Sequence, residues 1–305
     1  MSGGPRICSL LPSATEILAD LGLTEQLVGR SAECDWPPEV RSLPVVTAAR
    51  LDTSELASTE IDGAVRGALA DGRSLYALDE ELIASLAPDV IVTQDLCAVC
   101  AVSSGEVRAV CGVDAETISL DPHTIQEIQE SVLLLAQRFA IQERGRKVVE
   151  QMRWTIEEAS LAVAGREPRR VVVLEWLDPP FVAGHWLPEM VAAAGGVDLL
   201  GRAGEPSRTS SWDEVLAAEP ELVVLAPCGF DAARATREAE RLGLIARLAA
   251  FGIASVSVDA NSYFSRPSPR IAEGVTQLAQ VFHPPIDAAI PSGMAPPRTA
   301  RCRRT

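Results

Sequence analysis

Short apolar runs bounded by turn residues alternate along this chain with stretches whose apolar positions recur every three to four residues. The runs Ile7–Leu11, Val90–Thr93, Thr117–Leu120, Val171–Glu175, Leu222–Ala226 and Ser255–Val258 predict buried strands. The periodic stretches 13–21, 80–86, 123–140, 187–194, 212–218, 232–249 and 269–281 predict helices packed on them. Such alternation implies mostly parallel sheets covered by helices on both faces. One pattern is written twice: residues 81–93 read ELIASLAPDVIVT and residues 213–225 read DEVLAAEPELVVL. Each is an amphipathic helix, a proline turn flanked by acids and a buried strand. Aligning Pro88 with Pro220 sets Leu96, beside Cys97, opposite Cys228, so both copies lead into a polar, sulfur-bearing loop.

Two similar halves predict two α/β lobes with a ligand cleft between them. The stretch 142–165 predicts the joint, because its apolar residues at 148, 149, 152, 156, 159 and 163 fall on one face and Gly165 and Pro168 end it. The expected organisation is an N-terminal lobe at 5–141, a single backbone helix at 142–165, a C-terminal lobe at 166–283 and a disordered tail at 284–305. Ser13-Ala-Thr-Glu16 and Ser211-Trp-Asp-Glu214 read as capping boxes at helix starts. Residues 51–79 read only as an insertion.

Composition narrows the function. A formal net charge of −15 on 305 residues offers no broad basic face for a phosphate backbone, so nucleic acid is not an expected partner. No run is long and apolar enough to insert in a membrane. Residues 1–23 carry Pro12, Glu16 and Asp20 inside their apolar part and read as strand and helix, not as a secretory signal. Seven cysteines, an odd number in a chain large enough to fold without staples, also suit a reducing compartment, and a cytoplasmic monomer is expected.

Aromatic placement points to a ligand. With only 6 Phe, 5 Trp and 2 Tyr in the chain, Trp36, Trp176, Phe181, Trp186, Phe230, Tyr263 and Phe264 all fall in loops or helix starts at strand ends. In open α/β sheets ligands sit beyond the carboxyl ends of strands, and flat side chains there suit a broad apolar ligand. Among the polar candidates, Cys97-Ala-Val-Cys100, after Gln94 and Asp95, suits ligand contact, a thiolate redox pair or two metal ligands, with Cys34 and Cys228 able to complete a sulfur site if their loops converge. His185, in Gly-His-Trp, is either an axial metal ligand or a helix-entry histidine. Glu175, Trp176 and Asp178 end the first strand of the second half, where the acids can accept from amide groups or pair with Arg266. Cys8 and Cys111 lie in apolar runs and suit the core, and Cys302 is in the tail. No nucleophile elbow, P-loop or dinucleotide fingerprint is present, so no catalytic residue is assigned and a thiol-dependent enzyme is the minor reading.

Five fragments, ICSLLPSATEILADLG, VGRSAECDWPPEV, LEWLDPPFVAGHWLPEMVAAAGG, SWDEVLAAEPELVVL and NSYFSRPSPRI, are similar in order and spacing to the cobalamin-binding branch of the periplasmic iron-complex and cobalamin binding proteins. The resemblance covers residues 6–282. It implies two Rossmann-like lobes on one backbone helix, cobalamin or a related corrinoid as ligand, and an ABC permease as partner if the chain is exported, with Glu106 as a docking acid. It also implies ligand contacts at Glu33, with Cys34, Asp35 and Trp36 beside it, and at Ser262, Tyr263, Phe264, Ser265 and Arg266. The chain departs from the family pattern in its N-terminus and at Ala193 and Leu278, where a transporter-linked relative has a disulfide. A cytoplasmic corrinoid carrier, buffer or sensor is the resulting expectation, with a ferric-chelate or metal-binding protein as the alternative.

Overall fold

The computed structural model describes residues 4–51, 53, 56–71, 75–95, 105 and 114–284. Packing divides the chain into two units. The first runs up to Trp154 and takes in Arg266–Ile271; the second holds Thr155–Ser265 and the chain from Ala272.

The first unit is built on a parallel sheet of β1 (Ile7–Ser9), β2 (Leu27–Arg30), β5 (Val90–Thr93) and β6 (Glu116–Ser119), in the order β2-β1-β5-β6. Alternate residues of these strands feed opposite layers. Ile7, Val90 and Val92 pack with Ile17 and Leu18 of helix α1 (Pro12–Asp20) and with Val132 and Leu135 of a later helix. Cys8 and Ile91 pack with Leu10, Val46 and Ile83 on the other side. Both faces of β1 and β5 are therefore buried, which is why these two strands read as apolar runs.

The stretch 51–79 carries a helix, α2 (Ser58–Ala70), and closes with β4 (Tyr76–Leu78) paired antiparallel to β3 (Thr47–Ala49). Helix α3 (Glu80–Leu86) follows, capped by Asp79, whose side chain accepts from the Leu82 amide at 2.9 Å. Helix α4 (Ile125–Arg138) starts at Thr124, whose hydroxyl accepts from the Glu127 amide, while the Glu127 carboxylate accepts from the His123 amide. Helix α5 (Gln142–Ala162) runs out of the first unit and into the second, burying Val149, Met152 and Ala159.

The second unit has a six-stranded sheet whose centre is the long strand β7 (Arg169–Leu177). One end of β7, Arg169–Val171, takes β9 (Gly196–Asp198) in parallel, and the other end takes β8 (Pro180–Val182) as an antiparallel hairpin. β10 (Arg208–Thr209) extends the hairpin, and β11 (Leu222–Leu225) and β12 (Ala254–Ser257) continue the sheet in parallel. The helices are α6 (Leu187–Ala193), α7 (Trp212–Ala217), α8 (Ala232–Arg241), α9 (Leu244–Ala250), α10 (Ala260–Tyr263) and α11 (Ile271–Phe282). The stretch 232–249 is two helices, because Gly243 adopts φ +67° and turns the chain between them.

The written repeat is a structural one. β5 and β11 cover the same positions of the two copies, at 90–93 and 222–225. Ala87 and Glu219, each just before the proline, both sit at positive φ, 41° and 49°, and stop the helix there. The proline ring disfavours a right-handed helical residue before it, which gives both copies the same break.

Candidate functional site

The loop Ser31–Trp36 leaves the carboxyl end of β2, and arginines hold nearly all of its backbone carbonyls. Arg30 Nη1 donates to the carbonyls of Ser31 at 3.0 Å, Ala32 at 3.4 Å and Cys34 at 3.0 Å. Arg266 Nη2 donates to the Glu33 carbonyl at 3.2 Å, and Arg41 Nε to that of Asp35 at 3.0 Å. Five successive carbonyls are thereby turned onto guanidinium groups. Arg270 then lies over the Trp36 ring, 4.6 Å from its centroid, while Trp36 stays 43% exposed. Cys34 is wholly buried; its sulfur takes the Thr15 hydroxyl at 3.0 Å and contacts Ser31 Oγ at 3.1 Å. Burial pushes that thiol up from its ordinary value, and it offers a ligand no surface. Its role here is to pack the loop against α1.

Beneath the loop lies a charge cluster in place of the expected capping role of Glu16 and the expected ligand contact of Arg266. Pro12 begins α1 one residue before Ser13, so Ser13 is inside the first turn and Leu11 is the cap residue, with no side-chain cap. The expected capping box at Ser13–Glu16 does not form. Glu16 is instead 1% exposed and faces Arg266 Nη1 at 2.9 Å, Ser268 Oγ at 2.5 Å and Arg270 Nη1 at 3.4 Å. The same Arg266 nitrogen reaches Asp35 Oδ1 at 2.6 Å. Burial pushes the Glu16 carboxyl up from its ordinary value against the pull of Arg266, Ser268 and Arg270. Burial alone would lower Arg266, but the bonds to Asp35 and Glu16 hold it above its usual value, so the guanidinium stays charged. Arg266 is thus spent on internal partners and does not present a free guanidinium to a ligand.

At the second capping box, Ser211 does cap α7 by accepting from the Glu214 amide at 3.1 Å. The Glu214 carboxylate pairs with Arg208 and Ser210, which depress it to about 2.

In the second unit, Glu175, Trp176 and Cys228 come together at the ends of β7 and β11. Glu175 Oε1 accepts from the Gly184 amide at 2.8 Å, and the Cys228 amide donates to the Glu175 carbonyl at 3.0 Å. Trp176 meets Phe230 edge to face with centroids 5.5 Å apart, and Arg234 stacks on Phe230 at 3.8 Å. Cys228 is exposed and Asp178 half-buried. His185 is held at φ +50° with its amide on the Glu205 carbonyl at 2.6 Å, and its ring is half-buried 5.7 Å from that of Trp186.

Trp186 and Phe264 belong to the core of this unit. The Trp186 indole donates to the Phe264 carbonyl at 2.8 Å, and the two residues are 6% and 1% exposed. Ser262, Tyr263 and Ser265 are half-buried beside them, and Asp259 caps their short helix through the Ser262 amide at 3.0 Å. In the first unit Gln94 is buried, and exposed Asp95 donates its amide to Asp121 at 2.5 Å. Cys97, Cys100, Glu106, Cys111 and Cys302 lie outside the described residues. Among the described residues no three His, Cys, Asp or Glu side chains gather as a metal would require.

Sequence reasoning missed Glu16, Arg30, Arg41, Ser268 and Arg270. The pattern Arg266-Pro-Ser-Pro-Arg270 was a signal, since prolines hold the two cations at a set spacing, but their partner is 250 residues upstream.

Known proteins share this architecture. A vitamin B12-binding protein of Yersinia pestis is 24% identical over 299 residues, covering 95% of this chain and 89% of its own. The solved periplasmic vitamin B12-binding protein BtuF of Vibrio cholerae superposes with a TM-score of 0.64 at 21% identity, over 92% of this chain and 98% of its own. The periplasmic heme-binding protein RhuT from Roseiflexus sp. RS-1, in apo form, superposes as well, with a TM-score of 0.64 at 24% identity over 92% and 98%. The sequence profile described as "Periplasmic binding protein" matches residues 7–244, and this chain belongs to that family.

Proposed function

We propose that this chain is a non-enzymatic binding protein for cobalamin or a related corrinoid. The observation that carries the reading is the near end-to-end match to relatives named vitamin B12-binding proteins. The geometry adds a flat, 43% exposed Trp36 face on a loop fixed by arginines, and half-buried Trp176, braced edge to face by buried Phe230, at a strand end of the second unit. Both suit van der Waals contact with a broad macrocycle. Glu33, Asp35 and Trp36 of the first unit, with Glu175, Trp176, Asp178, His185, Cys228 and Tyr263 of the second, are the contacts we assign to it. Delivery to an ABC permease is the corresponding transport role if the chain is exported.

Heme is the second reading, favoured by the likeness to a heme-binding structure. Purified protein mixed with hydroxocobalamin or with hemin, then desalted, separates the two by visible spectrum. Retained corrin bands at micromolar protein support the proposal, retained Soret absorption alone replaces it with heme, and retention of neither sinks both.

The compartment is a separate question. Among the described residues no helix is long and apolar enough to cross a membrane. The cytoplasmic expectation rests on the odd cysteine count, while the family's name points outside the cytoplasm. Fractionation of host cells decides it, and recovery of the protein in the periplasm overturns the cytoplasmic carrier.

A further inference from the structure

We infer that Asp35, with Glu33, makes the Ser31–Trp36 loop selective for ligands with a neutral, amide-bearing rim over ligands with a carboxylate rim. The inference rests on the corrinoid reading above and specifies how it is chosen over heme.

The charges that remain open on this loop are acidic. Arg266 is 8% exposed on its side chain and is consumed by Glu16, Asp35 and the Glu33 carbonyl. Arg30 is spent on three loop carbonyls and on that of Arg41 at 3.1 Å. Arg270 is 12% exposed and shared between Glu16 and the Trp36 ring. What the loop turns to solvent is acidic: Glu33 is exposed, and the Asp35 side chain is 41% exposed with only Oδ1 bonded, to Arg266. Arg41 is also solvent-facing, one cation against these two acids.

A corrin ring carries acetamide and propionamide arms, whose N–H groups donate to the second oxygen of Asp35 without charge repulsion. Heme carries propionate carboxylates, which meet like charge there and find none of the buried guanidiniums available. The arginine cage also holds the loop in place before binding, so little ordering is lost when an amide docks. Neutral amide is accepted; carboxylate is opposed.

The test compares cobalamin and hemin affinities of the full chain with those of Asp35→Asn and Glu33→Gln, by spectral titration at low and high salt. The parent is expected to prefer cobalamin. Each variant should shift the cobalamin-to-hemin ratio of Kd toward hemin, Asp35→Asn by roughly tenfold, since a hydrogen bond to a charged acceptor is lost along with the repulsion. The parent's discrimination should shrink as salt rises from about 50 to about 500 mM, because the opposing term is Coulombic and partly exposed. A merely structural role for Asp35 would not produce that salt response. Should Asp35→Asn fail to fold, Glu33→Gln, whose side chain has no partner in the cage, carries the test. Ratios unchanged within twofold in the folded variants, or a salt-independent ratio, overturn the inference while leaving the corrinoid reading standing. A parent that prefers hemin, or binds neither, removes the reading and the inference together.

Discussion

Replacing Glu16 by Gln isolates the charge at the centre of the first unit. The amide has the shape of the carboxylate, so Arg266 can still donate to Oε1 and the Ser268 hydroxyl can turn to accept from Nε2. What disappears is the negative charge that neutralises two guanidiniums of 8% and 12% exposure. Removing one member of a buried ion pair typically costs about 3–5 kcal/mol, because the remaining charge is left uncompensated. Here Asp35 remains on Arg266 at 2.6 Å, but its side chain is 41% exposed and screened, and it offsets about 1 kcal/mol at most. The expected loss is therefore about 3 kcal/mol. Equilibrium urea unfolding followed by tryptophan fluorescence measures it, and where more than one transition appears the one that moves is compared. Glu16→Gln combined with Arg266→Met should recover about 2 kcal/mol of that loss, since an apolar side chain replaces the stranded cation. A single variant within about 1 kcal/mol of the parent, or a double variant no better than the single, refutes the account of this cluster.

Three further outcomes are expected. Asp198 is pushed up to about 6 by burial, against the bonds from Gly201, Leu200 and Val173, and its Oδ2 is buried without a partner. The folded carboxyl holds its proton more tightly than the unfolded one, so this group's contribution weakens as pH rises from about 4 to about 6. The difference of 6 − 3.8 ≈ 2.2 units corresponds to about 3 kcal/mol at most. Asp198→Asn should flatten that slope in a pH series of urea midpoints, and an unchanged slope counts against it. Gly184→Ala should lower stability by about 2–4 kcal/mol, because a Cβ there runs into the Ser207 amide nitrogen and the Glu205 carbonyl oxygen of the facing backbone; a melting temperature unchanged within about a degree would contradict the packing. Native alkylation mapped by mass spectrometry should modify exposed Cys228 and spare buried Cys34 until denaturant is added. Modification of Cys34 in native protein would mean the loop opens.

Much of the fold was legible because it is local. The runs at 90–93 and 222–225 became strands at those positions, and both copies of the proline repeat break their helices at the same place. The strands left unread, β2, β3, β4, β8, β9 and β10, are mostly no shorter than β1, but β2 and β9 carry a glycine, β8 begins on a proline, β10 is Arg-Thr, and β3 and β4 flank or close a stretch that read only as an insertion. Gly243 was visible inside the 232–249 stretch, yet the apolar period continued across it and masked the turn. The site read from the resemblance at Glu33, Asp35 and Trp36 is a loop that Arg266 and Arg270 hold, and its ligand contacts are the proposal above. It was misread at Glu16, because a serine three residues earlier offered a nearby explanation for the acid. No local pattern reports that its true partners lie on Arg266–Arg270. The role assigned to Arg266 changed for the same reason, since a residue's free valence depends on neighbours that spacing does not reveal.

The detour of Arg266–Ile271 out of the second unit has a consequence for synthesis. The amino-terminal unit is not a contiguous stretch of message, because the cation that matches Glu16 is 250 residues downstream. At about 5–20 residues per second, a ribosome needs roughly 12–50 seconds to supply it. During that interval the nascent unit holds an acid with no counter-charge, in a place that the finished protein closes to water. The first unit cannot reach its final form until Thr155–Ser265 of the second have been made, and birth order along the chain is not completion order in the fold.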